Sequence, residues 1–211
     1  MVTEVAYIPI DGKGRPGPRR QRFFYIIDAL LRSRQAAGLE TGSHRPDEDV
    51  NMYLCELLCR YAEDPTGGAP PGMIFPHETD LFDSVADQGE ARDRYLAYRY
   101  NADHLLVSLG IFGNAWLRTP REAAFPWAPG RREAVGRGRW YYRRAATYAG
   151  RLEEGRRGLD ELLGKIEVGF EEYLRILETM RGEYFHLIRG FSPGEWFHLC
   201  QDLGVGSGPG N

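Results

Sequence analysis

The sequence contains very little lysine and very little cysteine. Only Lys13 and Lys165 are lysines among 27 basic residues, and so strong a preference for arginine is typical of a GC-rich bacterial genome. Three cysteines are too few for the disulfide framework of a small secreted protein. Cys55 and Cys59 are four residues apart, and we expect buried apolar side chains there rather than half of a zinc site. These scarcities predict a bacterial protein of a reducing compartment.

The chain also lacks a long apolar run and a strong net charge. The longest nearly apolar stretch, residues 105–117, is shorter than the roughly 20 residues that a membrane-spanning helix needs. The opening MVTEVAYIPIDGKGR lacks the charged and apolar regions of a signal peptide. A net charge of −3 gives no general attraction to nucleic acid or to anionic membranes. We therefore expect a cytoplasmic protein that does not enter a membrane.

Helical periodicity is the strongest pattern in the chain. Apolar residues recur at steps of three and four over two long segments, 91–116 and 159–187, which predicts two long amphipathic helices. Shorter helices are predicted at 21–37, at 46–63, at 131–154 and after Ser192. The sequence thus predicts an all-α, single-domain bundle of about six or seven helices with Pro- and Gly-rich loops. We place the helical domain at residues 21–203, after an extended segment and basic loop at 1–20 and before a flexible tail at 204–211.

The pattern Glu-x-x-His, which recurs in di-iron helical bundles, occurs twice near the C-terminus. In the second copy, Ser192 and Glu195 form a capping box, which explains that glutamate without a metal. In the first copy, Glu183 lies about 85° and His186 about 145° from the centre of the apolar stripe, at about 100° per residue. The geometry favours solvent-facing residues, and Glu183 with His186 stays an alternative metal site. We expect no cofactor.

An arginine-rich helix is predicted beside an acidic one. Residues 131–151 hold seven arginines and one glutamate, whereas residues 159–183 hold seven acidic and three basic residues. This complementarity favours an antiparallel hairpin with ion pairs between the helices. Exposed arginines and aromatic residues also suit a protein interface or, as an alternative, nucleic acid. The candidate interaction residues are Arg137, Arg139, Trp140, Arg143 and Arg144.

Asp103 and His104 lie at the start of the segment ADHLLVSLGIFGNAWL, which is apolar on nearly every face. A carboxylate near a core must be paired, and the simplest partner is an arginine from the 131–151 helix. The alternative is a ligand pocket in which Tyr98 and Trp116 line the walls around Asp103 and His104. Further along the segment, Gly110 and Gly113 predict the close approach of a neighbouring helix.

Two segments resemble a family of uncharacterised bacterial all-helical proteins. ADHLLVSLGIF at 102–112 has the family's small residue–Asp start and Gly-x-Phe end, and RWYYRRAATY at 139–148 has its paired aromatics. The matching residues are Asp103, Leu106, Gly110 and Phe112 in the first segment, and Tyr148 with Trp140, where the family has tyrosine, in the second. The resemblance implies an all-helical fold and a bacterial source, and it brings no activity.

The function is therefore predicted from the sequence motifs and the candidate residues alone. The sequence has no cofactor fingerprint and no recognisable nucleophile–base pair, so we expect a non-catalytic binding or regulatory module that mediates protein–protein interaction, including self-association. The first alternative is a metal- or small-ligand-binding bundle that uses Asp103 and His104 with Glu183 and His186. The second is nucleic-acid binding through the 131–151 helix, which the hairpin makes less favoured.

Overall fold

The computed structural model describes residues 18–39, 47–64, 66–75, 78–87, 89–113, 130–152 and 158–184. Within these ranges the chain has seven α-helices and no strand, which confirms the predicted all-α bundle. None of the described helices is long and apolar enough to cross a membrane. The helices are α1 (Pro18–Ala36), α2 (Glu48–Glu63), α3 (Glu78–Asp87), α4 (Ala91–Val107), α5 (Arg131–Ala149), α6 (Leu159–Val168) and α7 (Phe170–Glu183).

Helix α4 is the central element, as the apolar segment predicts. It continues directly into a π-helical turn, Ser108–Phe112, and every residue from 105 to 112 is buried. The turn ends at Gly113, whose φ of 71° lies in the left-handed region that favours glycine. Gly113 therefore ends the helix, and the last part of the predicted 91–116 helix lies outside the described residues.

Gly110 allows the close helix approach that its position predicts. A Cβ atom at this residue would lie 2.6 Å from the Cβ of Leu177, so the backbone of the π-helical turn rests directly against α7. Because the obstacle is the first side-chain atom of Leu177, it could not rotate away, and α7 itself would have to shift. The predicted contact is confirmed at Gly110.

The segment predicted as one helix over 159–187 is divided at Gly169 into α6 and α7. The Gly169 N–H still donates to the Lys165 carbonyl at 2.9 Å, and the Tyr173 N–H donates to the Gly169 carbonyl at 3.0 Å. Helical hydrogen bonds thus continue across the division. Helix α3 was not predicted; among its described side chains, Leu81 and Val85 are buried, and the helix follows a Pro- and Gly-rich segment of the sequence.

Helices α5 and α6 form the predicted antiparallel hairpin with complementary charge. Glu167 of α6 is 2.8 Å from Arg143 and 3.9 Å from Arg139, and Arg131 at the start of α5 is 2.7 Å from Glu178 of α7. The partner of Arg131, at the start of α5, comes later in the sequence than the partner of Arg143, near its end. Helix α5 is therefore antiparallel to α6 and α7. Three of the arginines of α5 therefore share two carboxylates of α6 and α7 in surface ion pairs.

Helices α1 and α2 are joined by a buried arginine. Arg34 is 1% exposed, donates a hydrogen bond to Asn51 Oδ1 at 3.0 Å and forms an ion pair with Asp47. A buried guanidinium requires partners of this kind, because an unpaired charge in a low-dielectric core is costly. The contact fixes α1 against the N-terminal end of α2.

Candidate functional site

Asp103 lies at the centre of a buried polar cluster. The residue is 2% exposed, and its Oδ1 atom accepts hydrogen bonds from the hydroxyls of Tyr53 at 2.5 Å and Tyr142 at 2.7 Å. Its Oδ2 atom lies 3.3 Å from Arg60 Nη2 and 3.5 Å from Arg99 Nε. We call these five residues the Asp103 cluster. Side chains from α2, α4 and α5 therefore meet at one carboxylate.

The electrostatics of the Asp103 cluster keep its donors protonated. Burial raises the pKa of Tyr53 and of Tyr142 well above the usual value, and the negative charge of Asp103 raises both further. For Arg99, burial lowers the pKa, but Tyr53 and Asp103 raise it by more, so its pKa lies above the usual value. Arg99 also donates to the Tyr53 hydroxyl at 3.2 Å. Such a network holds three helices in one arrangement, although the Nε atom of Arg60 is buried without a hydrogen-bond partner among the described residues.

These contacts correct the expected partner of Asp103. The arginines come from α2 and from α4 itself, whereas α5 contributes the hydroxyl of Tyr142 instead of an arginine. Tyr98, which was predicted to line a pocket with Asp103, makes its ring contacts with Trp140, Tyr141 and Tyr148. Trp116, the other predicted wall of that pocket, lies outside the described residues.

His104 is held between two hydroxyl groups. Its Nδ1 atom is 3.2 Å from the Tyr61 hydroxyl, and its Nε2 atom is 3.4 Å from Ser108 Oγ. Burial lowers the pKa of His104 to about 4, so the imidazole is neutral at pH 7 and can accept from one hydroxyl and donate to the other. The Tyr61 hydroxyl keeps its proton, because burial and then the charge of Asp103 raise its pKa.

The His104–Ser108 contact is a base–hydroxyl pair that sequence reasoning missed. Its signal was the spacing of four residues, which places two side chains on one helix face. Ser108 is fully buried, and an imidazole with a pKa of about 4 is a weak base. The pair therefore serves to satisfy polar groups at the start of the π-helical turn.

The predicted metal ligands are not assembled into a site by the described residues. Glu183 is exposed at the end of α7, and His186 lies outside the described residues. Among the described residues, no group of three His, Cys, Asp or Glu side chains could hold a metal ion. Cys55 is buried and donates through Sγ to the Phe23 carbonyl at 3.7 Å, as expected for a cysteine in an apolar core.

One side of α5 carries alternating arginines and aromatic residues. These are Arg137, Trp140, Arg144, Tyr148 and, in the turn that follows the helix, Arg151; we call them the arginine ridge. The guanidinium carbon of Arg144 lies 5.5 Å from the ring centre of Trp140 and 5.4 Å from that of Tyr148. The guanidinium carbon of Arg151 lies 5.2 Å from the Tyr148 ring centre. These are cation–π distances, so aromatic rings position two of the arginines.

The rings beneath the arginine ridge form a packed platform. Tyr98 of α4 stacks on Tyr148 with ring centres 5.8 Å apart and 5° between the planes. Trp140 meets Tyr98 edge-on at 5.4 Å, and Phe82 of α3 meets Trp140 edge-on at 5.1 Å. Phe82 is 38% exposed and extends the platform to the surface. Each side chain is held by others, which restricts its rotamers before any partner arrives.

The structure divides the predicted interaction residues into two groups. Arg139 and Arg143 are paired with Glu167, whereas Arg137, Trp140 and Arg144 lie on the arginine ridge. No carboxylate in the described part of the chain forms an ion pair with Arg137, Arg144 or Arg151. The Nε atoms of Arg137 and Arg144 are buried and have no hydrogen-bond partner among the described residues. Three arginines on this side of α5 are therefore without a carboxylate partner in the described part of the chain.

Comparisons of the chain with family models, curated proteins and solved structures gave no match. The resemblance at 102–112 and 139–148 therefore stays a likeness of motifs. The two segments do meet in the fold, because Tyr142 of the second donates to Asp103 of the first. The function of the arginine ridge is therefore inferred from the geometry of its own residues.

Proposed function

We propose that this chain is a non-catalytic helical binding module of the bacterial cytoplasm that docks an acidic protein partner on the arginine ridge. The observation that supports the proposal is the set of three arginines without carboxylate partners among the described residues, two of which, Arg144 and Arg151, rest on aromatic rings. Arginine, tryptophan and tyrosine are the residues that most often dominate binding energy at protein interfaces. Because packing already restricts these side chains, docking loses little side-chain entropy.

The internal ion pairs of α5 favour an acidic protein over nucleic acid as the partner. Glu167 pairs with both Arg139 and Arg143, whereas Arg137, Arg144 and Arg151 on the ridge have no carboxylate partner among the described residues. The chain as a whole carries a net charge of −3, which opposes long-range attraction of any polyanion, and nucleic acid carries negative charge along its whole length. An acidic protein segment needs only the local charge of the ridge. A second copy of this chain is one protein that could supply such a segment.

We predict that replacing the ridge arginines weakens binding to an acidic polypeptide. The ridge variant carries Arg137→Gln, Arg144→Gln and Arg151→Gln, and the probe is fluorescent poly-L-glutamate, followed by anisotropy at low ionic strength. We expect at least about a tenfold loss of affinity, since each lost charge-assisted contact contributes a few tenths to about 1 kcal/mol. Added salt should weaken wild-type binding, because exposed charges are screened.

The matched control removes the same number of charges from the same helix. It carries Arg131→Gln, Arg132→Gln and Arg143→Gln, and it should bind the probe nearly as well as the wild type. Equal loss in both variants would show that net charge alone is sensed and would refute the ridge. An oligonucleotide of equal charge is titrated in parallel, and tighter binding of it than of poly-L-glutamate would favour the nucleic-acid alternative. Light scattering on each variant reports self-association.

A further inference from the structure

The three arginines of the ridge repeat every seven residues. At about 100° per residue, Arg137 and Arg144 deviate by only about 20° from a straight row along α5, and Arg151 follows in the turn after the helix, where its N–H donates to the Tyr148 carbonyl at 3.1 Å. The backbones of Arg137 and Arg144 are about 10.5 Å apart along the axis, at a rise of about 1.5 Å per residue. Trp140 and Tyr148 fill the intervals, and the Tyr148 ring lies within cation–π distance of both Arg144 and Arg151.

We infer that the arginine ridge is shaped for one class of partner: an acidic α-helix whose carboxylates recur every seven residues, with apolar side chains between them. The inference rests on the proposed function and specifies its partner. A helix lying alongside α5 with this repeat presents a carboxylate about every 10.5 Å, which is the interval of the arginines. Three ion pairs then form together, and the apolar side chains contact Trp140 and the exposed edge of Phe82.

Other shapes of acidic ligand do not fit the row equally well. An extended strand advances about 3.3 Å per residue, so every third residue would match the interval. Residues three apart on a strand point to opposite faces, which would turn alternate carboxylates away from the ridge. On duplex nucleic acid, three base pairs span about 10 Å but rotate the backbone by about 100°. Phosphates at this spacing therefore face different directions, and a straight row of arginines contacts only one of them. A heptad helix keeps all its charges on one line.

The test compares two helical peptides of three heptads that have identical composition. In one, three glutamates are placed seven residues apart with leucine between them; in the other, the same residues are permuted so that the glutamates spread around the helix. Circular dichroism is used to match their helicity. Binding to the full chain is measured by fluorescence anisotropy at low ionic strength. We expect the heptad peptide to bind at least about tenfold more tightly, and the ridge variant to reduce that binding to the level of the permuted peptide.

The possible results separate the inference from the proposed function. If both peptides bind equally and the ridge variant binds neither, the seven-residue spacing of the carboxylates is wrong and the acidic-partner proposal stands. If the ridge variant keeps its binding to the heptad peptide, the surface itself is wrong and both proposals fall. If neither peptide binds while poly-L-glutamate does, the partner is not a heptad helix. Should the triple variant unfold, Arg151→Gln, an exposed position in the turn after α5, replaces it with the same expected direction.

Discussion

Replacing Asp103 with leucine will lower the free energy of unfolding by about 3–5 kcal/mol, the usual cost of removing one partner from a buried charged network. Two tyrosine hydroxyls and two guanidinium groups converge on this carboxylate. Leucine leaves those donors inside the core without their shared acceptor, and it cannot restore the links between α2, α4 and α5. A loss of this size is a large fraction of the 5–15 kcal/mol that stabilises a typical domain.

Equilibrium unfolding in urea, followed by circular dichroism, measures this effect. The control is Asp83→Leu at an exposed position of α3, where the change should stay within about 0.5 kcal/mol. An Asp103→Leu protein as stable as the wild type, or more stable, would contradict the structural role of the cluster. Such a result is typical of residues kept for function at the expense of stability, and it would revive Asp103 as a ligand-binding residue.

Acidification will destabilise the fold through His104, by about 2 kcal/mol between pH 8 and pH 5. Burial lowers the pKa of this imidazole to about 4, whereas its ordinary value is 6.5. Between these two values the unfolded chain takes up a proton that the folded chain does not. Stability therefore falls as the pH falls from about 6.5 to about 4, and the contribution of His104 is constant below that window.

The His104→Gln variant isolates this contribution, because glutamine keeps a polar side chain that does not titrate. Urea unfolding of both proteins is measured at intervals from pH 8 to pH 5. The difference in unfolding free energy between wild type and variant should shrink by about 2 kcal/mol as the pH is lowered. A difference that stays constant with pH would show that His104 titrates alike in the folded and unfolded chains, contrary to its partly buried position between Tyr61 and Ser108.

The helical architecture could be predicted from the sequence because a buried face imposes a periodicity on its own segment. Apolar residues three and four apart indicated α4 and the segment that forms α6 and α7. The opposite charges of two neighbouring segments indicated the α5–α6 hairpin. Periodicity identifies which face is buried but not what it meets. Tyr53 and Tyr142 lie 50 and 39 residues from Asp103 along the chain, and only the packing of three helices brings them to it.

The division of the α5 arginines could not be predicted for a related reason. The sequence shows that Arg137 and Arg139 differ by about 200° around the helix, so they must face different surroundings. It does not show on which flank α6 lies, and that choice decides which arginines meet Glu167 and which remain on the ridge. The same limit applies to Tyr98. Its ring packs against Trp140 and Tyr148, which belong to another helix and could not be identified as its neighbours from the sequence.

The arginine ridge as the docking surface is tested most directly by a charge exchange between the two partners. Arg144→Glu should weaken binding of the heptad peptide at least about tenfold, and a peptide whose central glutamate is replaced by lysine should bind this variant about as tightly as the original peptide binds the wild type. Anisotropy titrations of the four combinations give the coupling between the two positions. Absence of this rescue, or an equal rescue with Arg132→Glu on the other side of α5, would contradict the proposed surface.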